Sequence, residues 1–183
     1  VDFPLVALLI SGGHTELVLA HNWLEYGMIG TTRDDAVGEA FDKVARLLGI
    51  PYPGGVGLQN LAEEARMAAH STFHHPMTID CALPRPMLKA PNCDFSFSGL
   101  KTAVLYMVRD IPTLDTPTKQ KIAREFEDSV TEILTTKTKR ALQMHTAHTL
   151  VIGGGVAANT TIRNAFEKMI KNEFPNMRLY IPP

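Results

Sequence analysis

Apolar residues recur along this chain with two periods, and the switches between them lay out the elements. Residues 3–10 form an almost unbroken apolar run, the pattern of a central strand covered on both faces. Residues 16–20 and 26–30 read as two further strands, entered through the Gly12-Gly13 and His21-Asn22 turns. After Thr31 the period changes. Val37, Ala40, Phe41, Val44, Leu47 and Leu48 repeat at three and four residues, which predicts a helix over 31–48. Thr32 with Asp35 spells a capping box, and Gly49 is the stop. The opposite stripe of that helix carries Asp35, Glu39, Asp42 and Arg46.

Beyond a rigid Pro51-Tyr-Pro-Gly-Gly55 turn, the pattern predicts helices over 57–69, 98–109, 119–144 and 159–172. The third of these turns Ile122, Phe126, Val130, Ile133, Leu134 and Ala141 inward. Asn159 or Thr160 sits at the cap of the last. Residues 94–97 alternate like a strand, 149–152 make another that runs into Gly153-Gly-Gly155, and 178–181 begin one more. Residues 70–94 and 111–117 have no clear period and read as loops, the first with room for a strand. The alternation of strands and helices makes this an α/β chain.

Composition narrows the classes. The chain has 183 residues, 45% hydrophobic and 20% charged, which suits one globular unit with a substantial core. A net charge of −1 offers no global basic field for nucleic acid. Two cysteines, Cys81 and Cys93, are too few for a disulfide framework or a zinc site, so a reducing compartment is expected. No apolar stretch approaches the roughly 18 residues of a membrane span, and no signal peptide precedes the first strand. The missing initiator methionine and the Pro182-Pro183 end suggest a fragment.

The two glycine turns carry the chemistry. Each closes a strand, and glycine lets main-chain N–H groups reach phosphate oxygens that a Cβ would hold off. Singly, either turn serves equally well to reverse the chain. Together, with an acidic helix between them, they point to one nucleotide held between two backbone loops. His14 can donate to such a ligand or to the neighbouring backbone. Glu39, Asp42 and Arg46 have a plain alternative as a solvated stripe with an i,i+4 pair. His70, His74 and His75 have helix-like ligand spacing but no acidic or cysteine partner, and read as surface histidines. Ser98 and Lys101 spell S-x-x-K without its companion motifs; a helix cap at Ser98 is the simpler role. No H-E-x-x-H or G-x-S-x-G is present.

Five ordered motifs add a resemblance: Leu9-Ile-Ser-Gly-Gly-His-Thr15, Asp34-Asp-Ala-Val-Gly-Glu-Ala-Phe-Asp-Lys43, Tyr52-Pro-Gly-Gly55, Asp94-Phe-Ser-Phe-Ser-Gly-Leu-Lys101 and Gly153-Gly-Gly-Val-Ala-Ala-Asn159. Together they resemble the TsaD family, relatives of the catalytic subunit of the KEOPS complex. The resemblance implies an actin-like ATPase (ASKHA, ribonuclease H-like) lobe, a mixed β-sheet flanked by helices. It implies a single nucleotide-binding lobe over 1–183 with a helical and loop insertion around 50–118, and a further N-terminal lobe outside the chain. The implied activity is transfer of threonylcarbamoyl from threonylcarbamoyl-AMP to N6 of adenosine 37 in tRNAs reading codons that begin with A.

Carried over by position, Leu9, Ile10, Ser11, Gly12 and Gly13 would form the loop beside the phosphate and carbamoyl group. Asp42 and Gly55 would contact the adenosine through its ribose hydroxyls, and Asn159 would approach from the second loop. His14, Glu39 and Gly154 would assist. The family holds a divalent metal, iron or zinc, with an upstream H-x-x-x-H and a downstream aspartate, both outside this chain. Implied partners are tRNA, a paralogous TsaB-like subunit and a TsaE-like ATPase, in the cytoplasm or, for a mitochondrial homologue, the organelle; a homodimer is also compatible. Two rivals stand beside this reading: a non-catalytic scaffold paralogue, and a sugar or acetate kinase of the same superfamily that binds ATP/ADP.

Overall fold

The structure, a computed structural model, describes residues 1–69 and 81–182; His70, His74 and His75 lie outside them. In chain order come β1 (Leu5–Ile10), β2 (Thr15–Asn22), β3 (Glu25–Thr31), α1 (Val37–Leu47), α2 (Gly55–Ala69), α3 (Ser98–Asp110), α4 (Thr116–His145), β4 (Thr149–Gly153), a 3-10 turn (Gly155–Ala158), α5 (Thr160–Glu173) and β5 (Arg178–Tyr180). The strands form one sheet in the order β3-β2-β1-β4-β5. The β1–β2 and β2–β3 pairs are antiparallel, while β4 lies parallel to both β1 and β5. This is the mixed, helix-flanked α/β sheet that the resemblance implied.

One face of the sheet builds the core. Val6, Leu8 and Ile10 of β1, Leu17 of β2, and Leu150 and Ile152 of β4 are buried, with α4 packed on β1 and β2. The expectation that β1 is covered on both faces is not met among the described residues. Met28, Val18, Ala7, Val151 and Tyr180 pair successively across all five strands, and this apolar row is half-buried at its centre and exposed at both ends. An apolar run shows that neither face suits water. It does not say what covers each.

Helix α1 begins six residues later than the pattern suggested. Thr32 makes no capping box: its hydroxyl donates to the Asp35 carbonyl instead, and Ala36 occupies the cap without a side-chain bond. The acceptor comes from β2, where the buried Thr15 hydroxyl takes the Val37 N–H at 2.8 Å. Gly49, at φ +76°, ends the helix turn as expected.

Residues 94–97 form no strand, only a single bridge from Phe95 to Thr32. A carboxylate organises this segment from a distance. Asp34 accepts from the Ser96 and Ser98 hydroxyls and from the Phe97 and Ser98 N–H groups, at 2.6–3.2 Å. Ser98 therefore donates to Asp34 rather than capping α3, whose cap residue is Phe97. The stretch just before it is pinned by fully buried Lys137 of α4, which donates to the Ala90 and Asn92 carbonyls at 3.0 and 2.9 Å. Burial, with Arg140 adding repulsion, lowers the Lys137 pKa.

Two stability effects are expected. A Cβ at Gly154, φ +101°, would stand 2.2 Å from the Ile10 carbonyl oxygen. Gly154→Ala should therefore lower the unfolding free energy by about 2 kcal/mol, read from urea midpoints. For Asp34, burial pushes the carboxyl up, but the hydrogen bonds from Ser96, Phe97 and Ser98 outweigh it and hold the group below its ordinary 3.8. Its contribution is complete above that unfolded value and lost as pH falls through the lower folded one. Asp34→Asn should thus flatten the loss of stability as pH falls below about 4.

Candidate nucleotide cleft

Because β1 and β4 are parallel neighbours, Leu9 standing opposite Gly153, their C-terminal ends open at the same edge of the sheet. That edge is where open α/β sheets bind ligands. The turn after β1 and the turn after β4 touch there, with Gly154 seated on the Ile10 backbone. Helix α1 starts against the first turn: the Gly38 N–H donates to the Ser11 carbonyl at 3.0 Å, and a Cβ on Gly38 would lie 2.7 Å from that oxygen. The Pro51–Gly55 turn closes the other side. Gly54 fits against Ala45 of α1, where its own Cβ would come within 2.2 Å of the alanine methyl.

These elements enclose a cleft of about 390 Å³. The first turn contributes Gly12; α1 contributes Gly38, Phe41 and Asp42; the next turn and α2 contribute Pro53, Gly55, Val56 and Gln59. Gly155, Val156, Ala158 and Asn159 come from the second turn. Phe41, Pro53, Val56, Val156 and Ala158 give the cleft apolar surfaces suited to a flat ring. Asp42 gives it a carboxylate, one oxygen of which accepts the Gly54 N–H at 2.8 Å. The other oxygen has no hydrogen-bond partner among the described residues.

The glycines at this edge fall into two groups. Gly38, Gly54 and Gly154 are glycine because neighbouring atoms leave no room for a Cβ. Gly12, Gly55 and Gly155 face no such neighbour, since a Cβ on each would meet nothing within 4 Å. Neither packing nor a left-handed backbone requires glycine at these three cleft positions. Bare main chain there leaves room for a ligand to lie against it.

The structure therefore gathers Gly12, Asp42, Gly55 and Asn159 on one cleft and leaves the other candidates outside its lining. Ile10 is buried in the core and Leu9 is 39% exposed at the strand end. The Ser11 hydroxyl accepts from the Gly13 and His14 N–H groups at 3.3 and 3.0 Å, so two amides of that turn are used internally. Glu39 pairs with Lys43 at 2.9 Å on the helix surface, the plain role considered for it. Gly154 holds the two turns together.

Asn159 caps α5 by accepting from the Ile162 N–H at 3.0 Å and donates to Glu127 Oε1 at 2.6 Å. Glu127 was missed by the pattern reading. It follows Phe126 and sits one turn after Ala123, so a charge inside the apolar stripe of α4 was the available signal. Gln59, whose amide donates to the Thr160 hydroxyl at 3.3 Å, gave none. Among the described residues no three of His, Cys, Asp and Glu come together to hold a metal, so they offer no ligand set for the group the resemblance implies.

Comparison with known proteins finds relatives along the chain. A model of the family described as TsaD, tRNA N6-adenosine threonylcarbamoyltransferase, matches residues 1–183. Relatives of that same name include one from Enterococcus faecalis, 45% identical over all of this chain and 49% of its own length. Another from Legionella pneumophila strain Corby is 44% identical over 94% of this chain and 48% of its own. A third, from Ralstonia pickettii, is 44% identical over 99% and 50% respectively. The chain thus spans about half the length of the curated relatives it matches. A match running from the first residue to the last, together with a cleft built from its own glycine turns, establishes that the chain belongs to the TsaD family.

Proposed function

We propose that this chain is the adenylate-holding lobe of a tRNA N6-adenosine threonylcarbamoyltransferase. The observation that carries the reading is the cleft itself: a free Asp42 oxygen, apolar surfaces and three open glycines at one sheet edge. In this reading the Asp42 oxygen accepts from a ribose hydroxyl, a charge-assisted bond stronger than a neutral one. The adenine lies against Phe41, Val56 and Val156, and the phosphate lies along the main chain at Gly12 and Gly155. The exocyclic amine of the tRNA adenosine attacks the carbamoyl carbon. A C–N bond forms, the bond from that carbon to the phosphate oxygen breaks, AMP leaves with the electron pair, and the amine releases one proton to solvent. No covalent enzyme intermediate is needed, in keeping with the lack of an activated nucleophile in the cleft.

Iron or zinc, a TsaB-like subunit, a TsaE-like ATPase and the tRNA-binding surface belong to the proposal for the whole protein, as does a cytoplasmic setting. No helix among the described residues is long and apolar enough to cross a membrane. A scaffold paralogue would have no use for an open carboxylate and open glycines in one cleft. A small-molecule kinase would use the same cleft for ATP or ADP.

Titration calorimetry with a non-hydrolysable threonylcarbamoyl-adenylate analogue tests the reading. Asp42→Asn should weaken binding about tenfold. Gly155→Ala should weaken it comparably while leaving the melting temperature within a degree or so, because its methyl fills the cleft and strains nothing. Binding heat indifferent to both changes would favour the scaffold, and ATP-dependent phosphorylation of a sugar or acetate would favour the kinase.

A further inference from the structure

We infer that Glu127 is a positioning residue for the cleft: it holds the Asn159 amide in the single orientation that presents a free N–H to a nucleotide. The inference rests on the nucleotide reading of the cleft. Glu127 is fully buried on α4, and a charge there carries a desolvation cost that an apolar residue continuing the Ala123, Phe126, Val130 stripe would avoid. Its contacts show what the charge is for. Oε1 accepts from Asn159 Nδ2 at 2.6 Å, and Oε2 accepts from Arg66 Nη1 at 2.5 Å.

An asparagine amide has one accepting end and one end with two donors, and it can be flipped. Here both partners forbid the flip. Ile162 N–H can only donate, so it must face Oδ1, and a carboxylate can only accept, so it must face Nδ2. With Oδ1 used by the helix cap and one hydrogen of Nδ2 used by Glu127, the second hydrogen is fixed in direction on a residue that lines the cleft. Arg66 extends the effect. It lies on α2, the helix whose first turns supply Gly55, Val56 and Gln59 to the cleft. Through Glu127, α2 on one side is tied to Asn159 on the other. Arg66 also pairs with Asp128, and although its burial opposes charge, the two carboxylates together raise its pKa.

The test is calorimetric titration of the full chain with AMP, in a cycle of Glu127→Ala and Asn159→Ser. Serine keeps an oxygen to cap α5 but has no amide donor. Each single change should weaken AMP binding about tenfold, and the double change no more than either alone, since both remove the same oriented N–H. Glu127→Gln combined with Arg66→Met, in which no cation competes with Asn159 for the glutamine oxygen, should bind AMP within about twofold of the unaltered protein while melting lower. The inference is overturned if Glu127→Ala folds and binds AMP normally, or if the two losses multiply. It is also overturned if Glu127→Gln with Arg66→Met loses affinity as the alanine variant does. Failure of the unaltered protein to take up AMP would instead remove the nucleotide reading, and this inference with it.

Discussion

The parallel pairing of β1 with β4 is the constraint from which the site follows. These strands come from opposite ends of the chain, and side-by-side alignment in one direction forces both of their outgoing turns to the same edge. Contact at that edge is close enough that Gly154 tolerates no side chain beside the Ile10 carbonyl. Everything else at the edge is arranged relative to this junction. Helix α1 starts on the first turn through Gly38 and Thr15, which brings Phe41 and Asp42, one turn further along, to the cleft.

Glycine performs two opposite tasks within a few ångströms. At Gly38, Gly54 and Gly154 its small size lets backbone meet protein; at Gly12, Gly55 and Gly155 it leaves surface bare. The first group makes the cleft rigid and the second leaves it accessible. Asp42 belongs to both tasks, since one oxygen fixes the Gly54 turn while the other stays open. A carboxylate already tied at one oxygen has little rotational freedom left to lose when a ligand arrives.

Polar side chains, Lys137 and Glu127 fully buried and Asp34 exposed, do the remaining positioning, each reaching across the sequence to satisfy main chain or another side chain. Asp34 organises the start of α3, Lys137 holds the carbonyls at Ala90 and Asn92, and Glu127 joins Arg66 to Asn159. Such groups are costly when unpaired and specific when paired, because only one arrangement of their partners satisfies them. They act beside the packing of α2 on α4 and of α3 on α1.

Apart from the strand expected at 94–97, periodicity determined the element order, the α/β class and the inward face of α4, and residue type narrowed the cap of α5 to Asn159 or Thr160, because these depend on spacing along a few turns of chain. The motifs also put Gly12, Asp42, Gly55 and Asn159 forward as a group. What spacing could not decide was anything settled by a partner remote in sequence. The start of α1 was misplaced because its capping oxygen belongs to Thr15 on β2, not to Thr32 beside it. The strand expected at 94–97 is absent: the Thr31 carbonyl, the Arg33 N–H and the Asp34 carboxylate take its hydrogen-bonding groups. Ser11 and Glu39 lie outside the cleft because a local turn and Lys43 engage them, while Gln59, Val56 and Val156 enter it only because α2 and the second turn fold toward each other. Local hydrogen bonds and periodic burial are written in neighbouring residues; which distant groups meet depends on the closed sheet that brings them together.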